Sequence, residues 1–278
     1  MPNNLLEQML ARYEIQTAND QKNALREVMQ QITLSGLNRA GFFDVAAFYG
    51  GTCLRIFQGL PRASEDMDFS LLAVDKDFLL ERYFDSIIDE FKIIGHDVNI
   101  TQKGKKAATN IESALLKDDT VIYDLRFDAL PKIKIKIEVD TTPPQEFSTE
   151  YRLLMLPYSF MVRCYSLPDS YAGKMHALLF RNWQSRVKGR DWYDFEWYIR
   201  NDVPLSFRHF CQRAYQFGQI AEGAMTKELF GQLLREKITQ TSLESVKADV
   251  LPFVKDSSAL DIWSTDYFLE LARRIRFA

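Results

Sequence analysis

The order of elements between residues 45 and 72 constrains the fold more than any other part of the sequence. A short apolar run, Val45–Tyr49, predicts a strand, and Gly50 with Gly51 closes it as a turn. The residues that follow, Thr52–Phe57, predict a short helix. A strand that passes through a glycine turn into a helix is typical of a mixed sheet flanked by helices.

A second strand is predicted from Glu65 to Leu72, where polar and apolar side chains alternate with a period of two. This alternation places Asp66, Asp68 and Ser70 on one face of the strand. Two carboxylates at positions i and i+2 can hold a hard divalent cation such as Mg²⁺, which prefers oxygen ligands. Taken alone, such a pair is more often an exposed strand face than a metal site.

The remaining hydrophobic periodicity predicts an α+β protein, with a mixed sheet and flanking helices followed by a helical C-terminal half. We expect an α/β domain over residues 1–166 and a helical domain over residues 167–278. The predicted elements are two N-terminal helices, a helix over 75–94, strands over 97–101, 121–127 and 132–140, an extended segment over 151–166, and helices over 171–183, 191–200, 205–217, 227–239, 243–253 and 264–277.

Charge and composition exclude several classes of protein. The 278 residues include 35 Lys and Arg against 38 Asp and Glu, so a uniformly cationic nucleic-acid coat is excluded, whereas a local basic surface is not. The three cysteines are far apart and suggest neither a disulfide framework nor a zinc site. The N-terminus has no secretory signal, and no stretch reaches the roughly 20 apolar residues of a membrane span. We therefore expect a cytoplasmic protein without membrane association.

The strand predicted over residues 132–140 offers a third acidic side chain, because its polar face carries both Glu138 and Asp140. A solvated edge strand would give the same alternation of lysines and isoleucines. The sequence does not decide which of the two carboxylates would join Asp66 and Asp68.

A basic stretch without acidic residues runs from Lys174 to Arg190. Lys174 and Arg181 share one side of a helix, so we expect both to face an anionic ligand, with Lys174 exposed to solvent. The candidate RNA contacts are Arg181, Arg186, Lys188 and Arg190. Two acidic residues, Asp191 and Asp194, follow at helical spacing. The competing interpretation is a solvated helix that Asp191 caps.

These features together favour phosphoryl transfer, which needs a divalent ion to bridge the phosphates of a nucleotide. Glycines at a helix N-terminus let backbone amides approach those phosphates, and Thr52 could donate its hydroxyl there. The order of motifs resembles that of the polymerase-β-like nucleotidyltransferases. It is most similar to the AbiEii/AbiGii toxin family through Gly50-Gly-Thr-Cys-Leu54, Ser64-Glu-Asp-Met-Asp-Phe69, Lys136-Ile-Glu-Val139, Lys174-Met-His-Ala-Leu178 and Arg190-Asp-Trp-Tyr-Asp194.

The resemblance implies a role for each matching residue. Asp66 and Asp68 would ligate the metal, Glu138 would be the third acidic residue, Lys174 would contact the triphosphate, and Asp191 would be the acidic residue of the last motif. The remaining expected nucleotide-binding residues are Gly50, Gly51, Thr52, Arg55, Ser64 and Asp194. The α/β domain would then be the nucleotidyltransferase domain, with Lys174 and Asp191 contributed by the helical domain.

The resemblance also implies a function. The protein would use Mg²⁺ or Mn²⁺ to transfer a nucleoside monophosphate from a nucleoside triphosphate such as ATP, GTP or CTP to RNA, with the tRNA 3′ end as the candidate acceptor. It would be the toxin of a toxin–antitoxin or phage-defence system, with a cognate antitoxin. The alternatives are a small-molecule or protein hydroxyl as acceptor, and a nucleotide-binding module without catalysis.

Overall fold

The computed structural model describes residues 5–103, 120–127, 133–144, 146–181 and 187–278. The strands are β1 (Ala46–Tyr49), β2 (Asp66–Leu71), β3 (Val98–Gln102), β4 (Thr120–Phe127), β5 (Lys134–Asp140), β6 (Thr149–Leu154) and β7 (Phe160–Tyr165). The helices are α1 (Leu5–Leu10), α2 (Ala18–Arg39), α3 (Gly50–Gln58), α4 (Phe84–Ile93), α5 (Leu167–Phe180), α6 (Gly189–Arg200), α7 (Phe207–Gln216), α8 (Lys227–Gln240), α9 (Leu243–Val250) and α10 (Thr265–Arg273). The predicted α+β class is confirmed.

The strands form one mixed sheet with the order β3-β4-β5-β2-β1-β7-β6. Strand β2 lies beside β1, with which it is antiparallel, and beside β5, with which it is parallel. A first hydrophobic core covers this sheet with side chains from α2, α4 and the strands, and includes the fully buried Phe48, Phe69 and Ile137. The sheet therefore gives β2 two fixed neighbours, and these set the positions of its polar side chains.

A second hydrophobic core lies among the C-terminal helices, with Tyr171, Phe195 and Phe268 buried in it. Two residues from the N-terminal part of the chain, Leu54 in α3 and Leu60 just after it, belong to the same core. Helix α3 thus packs against the helical part of the protein while it continues directly from β1. No helix of the described residues is long and apolar enough to cross a membrane.

Two predicted elements were wrong. The helix predicted over 75–94 is α4 preceded by a 3₁₀ turn, Leu80–Tyr83, because Asp75 accepts a hydrogen bond from the Asp77 amide and so forms a local turn. The extended segment predicted over 151–166 is the antiparallel hairpin of β6 and β7. Its turn contains Pro157, which cannot donate to a ladder.

Helices α2 and α4 approach each other closely at Gly36, where an added Cβ would lie 2.7 Å from the Cα of Ile87. We expect Gly36→Ala to lower the free energy of unfolding by about 1–3 kcal/mol, because backbone atoms of α4 must move. The control is Gly231→Ala in α8, where the added Cβ meets only the flexible end of Arg235, at 3.3 Å. That change should raise stability by up to about 1 kcal/mol. Urea unfolding compares the two, and a Gly36→Ala protein as stable as the wild type would contradict the packing.

Two histidines are buried in the second half of the chain and are held neutral there. Burial and the nearby Arg213 lower the pKa of His176 to about 3 and that of His209 to about 4. Both values lie below the ordinary histidine value of about 6.5. The unfolded chain therefore binds more protons as the pH falls below about 6.5, and the native state loses stability there.

We expect His209→Gln to flatten the acid side of the stability profile. Between pH 6.5 and 4.5 the free energy of unfolding should fall with decreasing pH in both proteins. The wild-type slope should exceed that of the variant by about 1.4 kcal/mol per pH unit. The measurement is urea unfolding at a series of pH values. Because the slopes are compared, a constant loss of stability from the substitution cancels. Parallel profiles would show that His209 is not buried neutral.

Candidate active site

One cleft is lined by side chains from both halves of the chain. Strands β1, β2 and β5 and the start of α3 form one wall, and α5, α6 and α7 form the other. Among the predicted site residues, those that line this cleft are Gly50, Gly51, Ser64, Asp66, Asp68, Glu138, Asp140, Lys174, Arg181, Lys188, Arg190 and Asp191.

The carboxylates lie on two neighbouring strands because β2 and β5 are parallel and in register. Asp66 is opposite Lys136, and Asp68 is opposite Glu138. Burial, together with the charges of Glu138 and Asp66, raises the pKa of Asp68 to about 7. Negative charge is therefore concentrated on this wall of the cleft.

Lys136 stands within the acidic group and is a residue that the sequence analysis missed. Its ammonium lies 3.6 Å from the Asp66 carboxylate and forms an ion pair with Glu138. Burial opposes the charged form, but the Glu138 and Asp66 carboxylates outweigh it and raise the pKa of Lys136. Its sequence signals were its position on the polar face of the strand, two residues before Glu138, and its place at the start of the Lys136-Ile-Glu-Val139 motif.

The donor set at this wall fits a magnesium or manganese ion. Within the described ranges, no group of three or more His, Cys, Asp or Glu side chains is arranged to hold a metal. However, Mg²⁺ is usually bound by one or two carboxylates together with water and substrate phosphates. Asp66 and Asp68 provide two such oxygen ligands on one strand face, and both line the cleft.

The two glycines are required because charged and polar side chains lie directly over them. Gly50 has φ +78°, and a Cβ there would lie 2.2 Å from a carboxylate oxygen of Asp68. A Cβ on Gly51 would lie 2.7 Å from the Arg62 guanidinium and 2.9 Å from the Ser64 hydroxyl. The glycine turn therefore brings the start of α3 against the acidic wall.

Thr52 and Arg55 do not line the cleft. Thr52 is fully buried, and its hydroxyl donates to the backbone carbonyl of Asp66. Arg55 forms an ion pair with Glu27, at 2.8 Å, and donates to the carbonyl of Leu60. In the structure, both residues hold α3 in place through these contacts.

A buried ionic network connects the two walls. Arg62, which precedes β2, makes two hydrogen bonds of 2.6 Å to the carboxylate of Asp194 in α6. Both side chains are almost completely buried, with 2% and 0% exposed. The ammonium of Lys174 in α5 lies 2.8 Å from Asp194 and 2.9 Å from Asp191.

The network changes the expected character of Lys174. Its side chain is only 16% exposed, so the expectation of a solvent-facing lysine was wrong. Burial disfavours the charged forms of Asp191 and Asp194, but nearby cations outweigh it and lower both pKa values. Two cations, Arg62 and Lys174, balance two carboxylates, so the network as a whole is neutral. Arg62 had no sequence signal beyond its place next to the Ser-x-Asp-x-Asp strand.

Three further cations of the basic stretch reach the cleft. Burial and the nearby Arg181 lower the pKa of Lys188 to about 8. Arg190 lies 4.3 Å above the ring of Phe253 and 3.6 Å from Glu65. Arg186 lies outside the described residues. The wall opposite the carboxylates therefore carries positive charge.

The family model described as "Nucleotidyl transferase AbiEii toxin, Type IV TA system" matches residues 32–271. The chain belongs to the AbiEii family. It is accordingly a nucleotidyltransferase toxin of a type IV toxin–antitoxin system. The match includes the acidic wall, the ionic network and the basic stretch of the cleft. No curated protein matches the sequence significantly.

Two solved structures are similar to this chain. The nucleotidyltransferase toxin MenT4 from Mycobacterium tuberculosis is 15% identical, with a TM-score of 0.59, and the match covers 99% of this chain and 88% of that chain. The protein JHP933 from Helicobacter pylori is 19% identical, with a TM-score of 0.48 and coverage of 91% and 89%. Because MenT4 is 15% identical to this chain, its similarity shows a shared fold alone.

We expect Arg62→Met to destabilise this AbiEii protein strongly. The substitution leaves the buried Asp194 carboxylate with Lys174 alone, and breaking a buried ion pair costs about 3–5 kcal/mol. Lys92→Met is the control, because Lys92 pairs with Asp89 at 3.5 Å on the surface, where a pair contributes about 0–1 kcal/mol. The measurement is urea unfolding. Equal stability of the two variants would argue against the buried network.

Proposed function

We propose that the protein transfers a nucleoside monophosphate from a nucleoside triphosphate to an RNA hydroxyl, with the tRNA 3′ end as the preferred acceptor, and that the transfer depends on Mg²⁺ or Mn²⁺. One observation carries the proposal: a carboxylate wall formed by Asp66, Asp68 and Glu138 faces a wall of cations across a single cleft. Phosphoryl transfer requires this juxtaposition, because the substrate is an anion and its activation needs a divalent cation.

Asp66 and Asp68 would hold the metal ion. A bound ion would bridge phosphate oxygens and neutralise the charge that develops during transfer. Glu138 is our candidate for the third carboxylate, because it lies directly opposite Asp68 in the sheet, and Asp140 on the same strand is the alternative. Lys136 holds Glu138 and Asp66 together from the side.

The opposite wall would position the substrates. Lys174 would contact the triphosphate, while Asp191 and Asp194 hold its ammonium in place at 2.9 and 2.8 Å. Arg181, Lys188 and Arg190 would bind RNA phosphates. This concentration of positive charge in a protein of net charge −3 favours a polyanionic acceptor over a small-molecule or protein hydroxyl. The cytoplasm is the compartment that we propose, and the type IV system implies a cognate antitoxin.

We expect Asp66→Asn and Asp68→Asn each to reduce nucleotide transfer about 10²-fold or more, because each removes a charged oxygen ligand. The assay incubates the protein with Mg²⁺, each labelled nucleoside triphosphate and total RNA. Folding should be preserved, since either change reduces the repulsion between neighbouring carboxylates, and thermal unfolding checks this. The matched control is Asp97→Asn, at an exposed position before β3, which should retain full activity. A folded Asp66→Asn/Asp68→Asn double variant with wild-type activity would refute the proposed function.

We expect Arg181→Ala and Lys188→Ala to weaken RNA binding and to flatten its dependence on salt. Each lost phosphate contact should reduce the slope of log affinity against log salt by somewhat under one unit. Arg273→Ala in α10 is the control, because its guanidinium is 75% exposed and lies outside the cleft lining. Fluorescence anisotropy with a labelled tRNA at several salt concentrations provides both quantities. Unchanged slopes in the two cleft variants would rule out this position for the acceptor.

A further inference from the structure

A small pocket adjoins the cleft on the side of the C-terminal helices. It lies where α8 and α9 pack against α5 and α6, and the turn between α8 and α9 forms one of its sides through Gln240, Thr241 and Ser242. Four residues line both this side pocket and the cleft, and they are Ala177, Arg181, Lys188 and Asp191. The side pocket is therefore a branch of the cleft, and these shared side chains stand between the two.

The side pocket contains a lysine that the described residues do not neutralise. Lys237, in the last turn of α8, is partly buried there and forms no ion pair with a carboxylate of those residues. Burial lowers the pKa of Lys237, whereas Lys174 and Lys136 are also buried but have pKa values raised by neighbouring carboxylates. A partly desolvated ammonium without a counter-charge is unfavourable, so its place in a pocket indicates an anionic ligand.

The other charges of the side pocket strengthen this conclusion. Arg181 and Lys188 line it together with Lys237, and Asp191 is the acidic side chain among its described lining residues. The Asp191 carboxylate already holds the ammonium of Lys174 at 2.9 Å. Burial and the nearby Arg181 lower the pKa of Lys188 to about 8, which shows that cations are crowded here. The described lining therefore has an excess of positive charge.

The size of the side pocket limits what can bind in it. Its volume is about 180 Å³. Pockets that hold a complete small ligand measure roughly 300–1,000 Å³, so this one suits a single group of a molecule that also lies in the cleft. A backbone phosphate of a polynucleotide meets both requirements, because it is compact and anionic and because its chain continues in both directions.

The order of the lining residues gives this polynucleotide a route. Asp66 and Asp68 line the cleft but not the side pocket, Arg181 and Lys188 line both, and Lys237 lines the side pocket but not the cleft. We infer that Lys237 binds a backbone phosphate of the acceptor RNA, whose strand passes Arg181 and Lys188 on its way to the carboxylate wall. The inference rests on the proposed function and adds to it the route by which the acceptor enters.

The test is the binding of a labelled tRNA to Lys237→Met, measured by fluorescence anisotropy at several salt concentrations. At about 0.1 M salt the affinity should fall about five- to tenfold, and the slope of log affinity against log salt should decrease by somewhat under one unit. Lys237→Arg should retain most of the affinity and the slope, because either cation can contact a phosphate.

The matched control is Lys227→Met at the other end of α8, about 15 Å along the helix. It removes the same charge, but Lys227 lies 4.9 Å from the centre of the Phe277 ring and lines neither the cleft nor the side pocket. Its tRNA affinity and salt slope should equal those of the wild type. An equal loss in both variants would reflect net charge alone and would overturn the inference.

Thermal unfolding and nucleotide binding separate the remaining possibilities. Lys237→Met should melt at or above the wild-type temperature, because burial disfavours the ammonium that it removes. A lower melting temperature with unchanged tRNA affinity would make Lys237 structural and overturn the inference. Weaker binding of a non-hydrolysable ATP analogue would also overturn it, because the side pocket would then serve the nucleotide.

Transfer assays separate this inference from the proposed function. If the wild type transfers nucleotide to tRNA and Lys237→Met binds tRNA with unchanged affinity and salt slope, the inference alone fails. If the wild type binds tRNA through Lys237 but transfers no nucleotide, the proposed function alone fails.

Discussion

The Arg62–Asp194 ion pair is the interaction on which the cleft depends. Arg62 comes from the loop before β2, and Asp194 comes from α6, so the pair joins the sheet to the C-terminal helices inside the protein. Lys174 and Asp191 extend it toward the cleft surface. A buried pair of this kind adds little net stability, but it fixes geometry, because neither partner can move without leaving a buried charge. The two walls are thus held at one separation.

The sheet supplies the second constraint. Because β2 and β5 are parallel, residues at the same level of the two strands are neighbours, and residues of one polar face form a continuous acidic surface with Lys136 inside it. The opposite faces of the same strands are buried, as Met67, Phe69, Ile137 and Val139 show. The acidic wall of the cleft and the hydrophobic core are therefore two sides of the same pair of strands.

Much of this architecture could be predicted from the sequence. The alternation in β2 and β5 and the Gly-Gly turn predicted both strands and the carboxylate face, because these patterns are local. The contacts between distant segments could not be predicted this way. Lys174 has the spacing of a surface lysine, and only the folded structure brings it to Asp194. Arg62 carries no periodic signal, since its importance comes from which groups surround it in space.

The glycine at position 50 makes the entry into α3 and the position of Asp68 a single feature. With φ +78°, the turn suits glycine, and the space that any side chain would fill is occupied by the Asp68 carboxylate. A side chain at position 50 would be unfavourable for two reasons. The backbone has a positive φ that L-residues rarely adopt, and the Cβ would clash with the Asp68 carboxylate. Relief of the steric clash would displace the Asp68 carboxylate. This position therefore has no conservative replacement: even alanine would require the Asp68 carboxylate to move away from its place beside the start of α3.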